Sequence, residues 1–231
     1  MFLKRKKPEK KHFTKNRYFF NDRAITEVEN KTKRLVYADD FKQFVRKSPG
    51  IIKDFLNTRK RLIADKDKTV IFEKGGKVIV ERIHGIGIKH AFLFKLTIGN
   101  KCFFIKEYHP SFLIRLFKGK KNVHLGPKQF LASAKAKSAI ESLGEKIVNF
   151  NIGFNDEKKS FFVSDFYESL TPFTFDLKRQ LGEEKFRELT NRINMVEKVL
   201  EKISIGDVHF DNCFYDEKND QLIFFDIATI D

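Results

Sequence analysis

The spacing of hydrophobic positions changes along the chain, and each spacing predicts a different element. In EEKFRELTNRINMVEKVLEKI, residues 183–203, Phe186, Leu189, Ile193, Val196 and Leu200 recur three and four apart, which lines one face of a helix. PKQFLASAKAKSAIESLGEKI reads the same way, with Pro127 near its start and Gly144 near its end as start and stop signals. Residues 68–108 instead predict strands. KTVIFEKGGKVIVERI gives two around a Gly75-Gly76 turn, and HGIGIKHAFLFKLTIGNKCFFIKEY gives a glycine-containing loop and two more strands around Gly99-Asn100. SFFVSDFYESL predicts a strand that runs into a polar, acidic segment, and the chain ends in a hairpin pairing CFY with QLIFF across DEKND. Upstream, DDFKQFVRKSPGIIKDFLNTRKRLI predicts two helical pieces broken by the Ser-Pro-Gly step at 48–50.

These elements predict an α+β chain in two lobes. A basic extension over residues 1–67 precedes an antiparallel β lobe with one helix over 68–164, and a compact, mainly helical lobe follows over 165–231. At 231 residues with 41% hydrophobic positions the chain can bury a sizeable core. The net charge of +15 points to anionic partners such as nucleotides, nucleic acid or an anionic membrane. Seven Lys or Arg against one Glu in the first sixteen residues suggest an electrostatic tether, or else a solvated terminus. The two cysteines, Cys102 and Cys213, form no disulfide framework or zinc spacing, which fits a reducing compartment. No secretory signal and no membrane-spanning run is evident, so the expected location is cytoplasmic, with peripheral contact at the inner face of a membrane allowed by the basic start.

The chemistry concentrates in GDVHFDNCFYDEKNDQLIFFDIATID, residues 206–231. Asp207 and Asn212 lie on a loop five residues apart, and the hairpin can return Asp226 beside Asn212. A carboxylate and an amide oxygen converging at a strand end suit Mg²⁺, which takes a few protein oxygens and keeps positions for phosphate and water. Asp207, displaced toward solvent, can orient a hydroxyl nucleophile and accept its proton.

The D-x-x-x-x-N…D pattern resembles the protein-kinase-like superfamily. GDVHFDN looks like the catalytic loop of its small-molecule branch, the aminoglycoside phosphotransferases and lipopolysaccharide core kinases. Gly206, Asp207, His209 and Asn212 match that loop, whereas Ile205 stands where a His usually leads, and Ala228 replaces the glycine of the protein-kinase DFG. The resemblance implies ATP and Mg²⁺ as cofactors, with Asp207 catalytic and Asn212 and Asp226 holding the metal. It places Lys106 of FFIKEY, on the third strand of the meander, at the α- and β-phosphates. It also puts Gly85 and Gly87 of IHGIGIKH over the phosphates, and Asp165 and Tyr167 of SDFYES in the adenine-binding linker. The helix after the lysine strand should offer a Glu to Lys106; Glu141 is the candidate, with Glu145 behind it, although the expected register falls nearer Lys137 or Ser138. Each residue also has an ordinary structural explanation, but those explanations would all have to coincide in kinase order.

With only five residues after Asp226, the expectation is a compact relative rather than an ordinary protein kinase. FLASAKAKSAIESL after the lysine strand resembles the lipopolysaccharide core kinases, which implies a heptose or Kdo hydroxyl, in lipid-linked core oligosaccharide, as acceptor. The alternatives are a small atypical protein kinase of the RIO or Bud32 kind and a pseudokinase scaffold without turnover.

Overall fold

The computed structural model describes residues 14–20, 23–29, 33–41, 55, 69–72, 78–83, 91–108, 125–155, 159–167 and 170–229. Its main feature is a nine-stranded antiparallel sheet. The predicted meander is present as β4 (Thr69–Phe72), β5 (Val78–Ile83), β6 (Ala91–Ile98) and β7 (Lys101–Tyr108), each paired to the next. Residues 14–38, which the sequence reading left as part of a basic extension, supply three more strands: β1 (Thr14–Phe20), β2 (Arg23–Glu29) and β3 (Arg34–Ala38). Their alternation is masked in sequence by arginines and glutamates that pair with one another, as Arg34 does with the buried Glu27. The expected helical pieces of residues 39–63 and the Gly75-Gly76 turn fall almost wholly outside the described residues.

A helix, α1 (Leu125–Ser142), leaves β7 and leads through the short strand β8 (Lys146–Ile147) into β9 (Phe150–Asn155) and β10 (Ser160–Asp165). The sheet order is β1-β2-β3-β9-β10-β7-β6-β5-β4, so β10 lies between β9 and the lysine-bearing β7. Two helices follow, α2 (Phe175–Leu181) and the predicted α3 (Glu183–Glu201), whose stripe buries Leu189, Ile193, Val196 and Leu200. The terminal hairpin is β13 (Cys213–Asp216) with β14 (Gln221–Phe224), in the register Cys213↔Phe224. It pairs on one side with β11 (Thr171–Pro172) and, in parallel, with β8 on the other. A last pair joins β12 (Ile205–Gly206) to β15 (Ala228–Thr229).

The pleat of the large sheet divides the interior in two. On the α1 side Ile25, Val36, Ala38 and Phe162 pack with α1, α3 and the hairpin. On the other side Phe94, Phe103, Ile105, Phe161 and Val163 pack with Phe55. Six phenylalanines, Phe94, Phe130, Phe150, Phe161, Phe173 and Phe224, are among the largest fully buried side chains, so Phe supplies the bulk of this Trp-free core.

The seat of α1 depends on two glycines. A Cβ at Gly126 would stand 1.9 Å from the Phe161 carbonyl oxygen, and one at Gly153 would stand 2.5 Å from the Gly126 carbonyl oxygen. The helix start therefore lies directly on the backbone of β9 and β10, a distance only glycine allows. Ser160 Oγ accepts the Gly126 N–H at 2.7 Å and fixes the contact.

Candidate active site

Strand alternation aims the first group. Phe103, Ile105 and the fully buried Glu107 face the side away from α1. Lys106 and Tyr108 therefore face α1, in register with Phe162 and Ser160 of β10. An ammonium directed inward needs an anion, and Lys106 Nζ finds the carboxylate of Asp226, bonding both its oxygens. The Lys106 ammonium also lies 4.9 Å from the centroid of the Tyr108 ring, a cation–π distance.

The second group comes from the chain end. The two-residue pairing Ile205↔Thr229 and Gly206↔Ala228 holds the Asp207 loop beside the Asp226 segment. Phe225 N–H donates to the Asn212 carbonyl at 2.9 Å, so the Asn212 backbone pairs with the residue before Asp226. Asn212 Nδ2 donates to the Asp207 carbonyl at 2.7 Å, which leaves the amide oxygen as the atom available to a ligand. His209 Nε2 sits 3.1 Å from Asp207 Oδ1 and braces that carboxylate. Asp207 and Asp226 both have a left-handed backbone, φ 61° and 57°. For non-glycine residues this conformation persists only where the surroundings dictate it. Burial, followed by the Asp226 and Asp207 carboxylates, pushes the Tyr108 phenol well above its ordinary value, so both acids act on the same tyrosine.

Lys106, Asp226, Asn212 and Asp207 are thus brought together, whereas Glu141, expected at Lys106, is elsewhere. Glu141 is corrected: its carboxylate pairs with Lys137 one turn back, 2.8 Å away, on the exposed side of α1. Glu145 is buried and holds Arg192 at 2.7 Å and the Leu222 N–H at 2.7 Å, so it ties the turn after α1 to α3 and β14. The helix residue that reaches the site is Gln129, whose Nε2 donates to Asp226 Oδ1 at 2.8 Å. Register explains the difference, because the glycine seat brings the first turn of α1, not its last, over Asp226. In sequence Gln129 is one polar residue beside Lys128 with nothing to single it out; for Tyr108 the signal was the two-residue step from Lys106.

Asp165 ends β10, and Tyr167 follows two residues later. The Asp165 carboxylate accepts from Asn149 and Asn151, each at 2.8 Å, and its N–H donates to the Asn149 carbonyl. Tyr167 Oη is the acceptor for the Asn149 N–H at 3.4 Å. Both line a cavity of about 330 Å³ with Phe41 and Phe103, a set that contains none of Lys106, Asp207 or Asp226. Gly85 and Gly87 fall outside the described residues.

The donor chemistry fits a small hard cation. Asp226 and Asn212 offer a carboxylate and an amide oxygen, and among the described residues no cluster of three or more His, Cys, Asp or Glu closes a cage. Donors of that kind are ones Mg²⁺ takes beside its own water and phosphate oxygens.

No protein-family profile matches the chain, and no curated protein does. Among solved structures the chain is similar to that of vaccinia related kinase 3, with 15% identity and a TM-score of 0.41 over 69% of this chain and 50% of that one. The chain therefore spans about half the length of that kinase. At this identity and score the likeness supplies no residue-level correspondence.

Proposed function

We propose that the protein is a kinase that transfers the γ-phosphoryl group of ATP to a hydroxyl acceptor. The observation that carries the reading is the meeting of Lys106, from the third strand of the meander, with Asp226, from the chain end, beside Asn212 and Asp207. Residues 120 positions apart have no structural need to place a lysine and two carboxylates around one partly buried tyrosine. Phosphoryl transfer needs that set, because its catalysis is positioning and charge neutralisation.

In this reading Lys106 neutralises phosphate oxygens of the nucleotide. Asn212 and Asp226 would hold Mg²⁺, which when bound offsets the charge of the phosphates. Asp207, half-exposed and steadied by His209, orients the acceptor hydroxyl and takes its proton. The acceptor oxygen bonds to the γ-phosphorus as the bond to the β-bridging oxygen breaks; ADP leaves, and Asp207 later releases the proton to solvent.

The acceptor we favour is a sugar hydroxyl of lipid-linked core oligosaccharide. That choice rests on GDVHFDN, on FLASAKAKSAIESL and on the net charge of +15, which suits an anionic membrane surface. No described helix is long and apolar enough to cross a membrane, so such contact would be peripheral.

Calorimetry of ATP binding with and without Mg²⁺, wild type beside Asp226→Ala, tests the site. The expected result is metal-dependent binding in the wild type that the variant loses. ATP turnover in the same samples should vanish in Asp207→Ala while its ATP affinity stays within about threefold of wild type. Equal turnover in wild type and Asp207→Ala would refute the catalytic assignment. Radiolabel from ATP entering protein substrates but no sugar acceptor would move the reading to an atypical protein kinase.

A further inference from the structure

Gln129 has no part in the mechanism above, yet it touches the centre of the site. It is 5% exposed, its Nε2 donates to Asp226 Oδ1 at 2.8 Å, and its Oε1 is the buried side-chain polar atom without a hydrogen-bond partner among the described residues. The orientation of the amide is not arbitrary: an ionised carboxylate only accepts, so the nitrogen must face Asp226 and the oxygen must turn from it. An unmatched buried acceptor is uncommon in a folded protein and calls for a cause. Lys106 brings a donor to the same carboxylate. Its ammonium carries three N–H groups and sits on the same Asp226 Oδ1 that Gln129 holds, so amide and ammonium flank one oxygen atom.

We propose that Gln129 Oε1 is a second seat for the Lys106 ammonium. In the state described here Lys106 occupies the carboxylate that the kinase reading, on which this inference rests, gives to a divalent cation. When Asp226 turns to a cation, Lys106 leaves it, bonds Gln129 Oε1, and from that seat faces the nucleotide phosphates. Gln129 is therefore a positioning residue, and a neutral amide does here what a helix carboxylate was expected to do. Neutrality has a physical reason. Without a cation on Asp226, a carboxylate at 129 would stand beside it and compete for one ammonium, whereas the amide steadies Asp226 through Nε2 and keeps Oε1 ready.

The test is calorimetric ATP binding by the full chain, in Mg²⁺ and in EDTA, for wild type, Gln129→Leu and Gln129→Glu. Gln129→Leu keeps the volume but neither polar atom, and should weaken binding in Mg²⁺ roughly tenfold. In EDTA Lys106 stays on Asp226, so the same variant should bind ATP within about twofold of wild type. Gln129→Glu restores an acceptor and should bind in Mg²⁺ within about threefold of wild type. Wild-type affinity of Gln129→Leu in Mg²⁺ would overturn the second seat, as would an equal loss in both media, the mark of a purely structural residue. If Gln129→Leu fails to fold, Gln129→Glu decides, and a loss of about tenfold or more in Mg²⁺ would overturn the proposal. A wild type that binds no ATP in either medium refutes the kinase reading and this inference together. Metal-dependent wild-type binding with an unaffected Gln129→Leu refutes the second seat alone.

Discussion

Tyr108 and Cys213 give the site and its surroundings distinct titration behaviour. Burial and the two neighbouring carboxylates raise the Tyr108 phenol, so the folded protein holds that proton at a pH where the unfolded chain releases it. The folded state then binds more protons above the ordinary tyrosine value of about 10, and stability should fall as pH rises past it. Tyr108→Phe should flatten that fall, as measured by urea midpoints on either side of pH 10; an unchanged slope would place Tyr108 outside the influence of Asp207 and Asp226. Cys213 is buried, which pushes its thiol far up, while Cys102 is half-buried on β7. Thiol reagent near neutral pH should therefore titrate Cys102 in the native protein and Cys213 only after unfolding.

At the scale of elements, the placement of α1 decides whether the site exists. Its first turn reaches Asp226 because Gly126 and Gly153 let helix and strand backbones touch. Gly126→Ala should destabilise the protein by about 3 kcal/mol or more, since a methyl 1.9 Å from the Phe161 carbonyl forces the helix off its seat. It should also weaken Mg²⁺-dependent ATP binding by moving Gln129. Retained stability with lost binding would separate the seat from the core. The hairpin depends on another anchor: Glu145 holds Arg192 of α3 and the Leu222 N–H of β14. Glu145→Ala leaves the buried Leu222 N–H unmatched and takes one partner from Arg192, which keeps Asp220 and Glu188, and chemical denaturation should register a loss of about 2 kcal/mol. Little of this was legible beforehand. The helix and hairpin follow from periodicity, but which turn of α1 meets Asp226 depends on close approach between residues remote in sequence.

For the molecule as a whole, the nine-stranded sheet ties residues 14–38 to the site. β3 pairs with β9 over Arg34↔Asn155 to Tyr37↔Ile152, and Ile25, Val36 and Ala38 are fully buried on the α1 side. A variant beginning at residue 68 would expose the β9 edge and that apolar face. It should aggregate, or lose cooperative melting, on size-exclusion and calorimetric measurement. A soluble, cooperative fragment that retains Mg²⁺-dependent ATP binding would instead make the first 67 residues dispensable. Composition suggested an appendage there because charged residues obscured the strand alternation.

By itself the sequence determined the meander, the two long helices and the terminal hairpin, and it singled out Lys106, Asp207, Asn212 and Asp226 as candidates. Those depend on local periodicity, turn residues and a short ordered motif, all carried by neighbours in the chain. The tertiary structure decided the rest. It put Gln129 rather than Glu141 at Asp226 and joined residues 14–38 to the main sheet. Each of these follows from backbone contact or ion pairing between residues distant in the chain, such as the Gly126 seat on β10. Local spacing cannot encode such contacts.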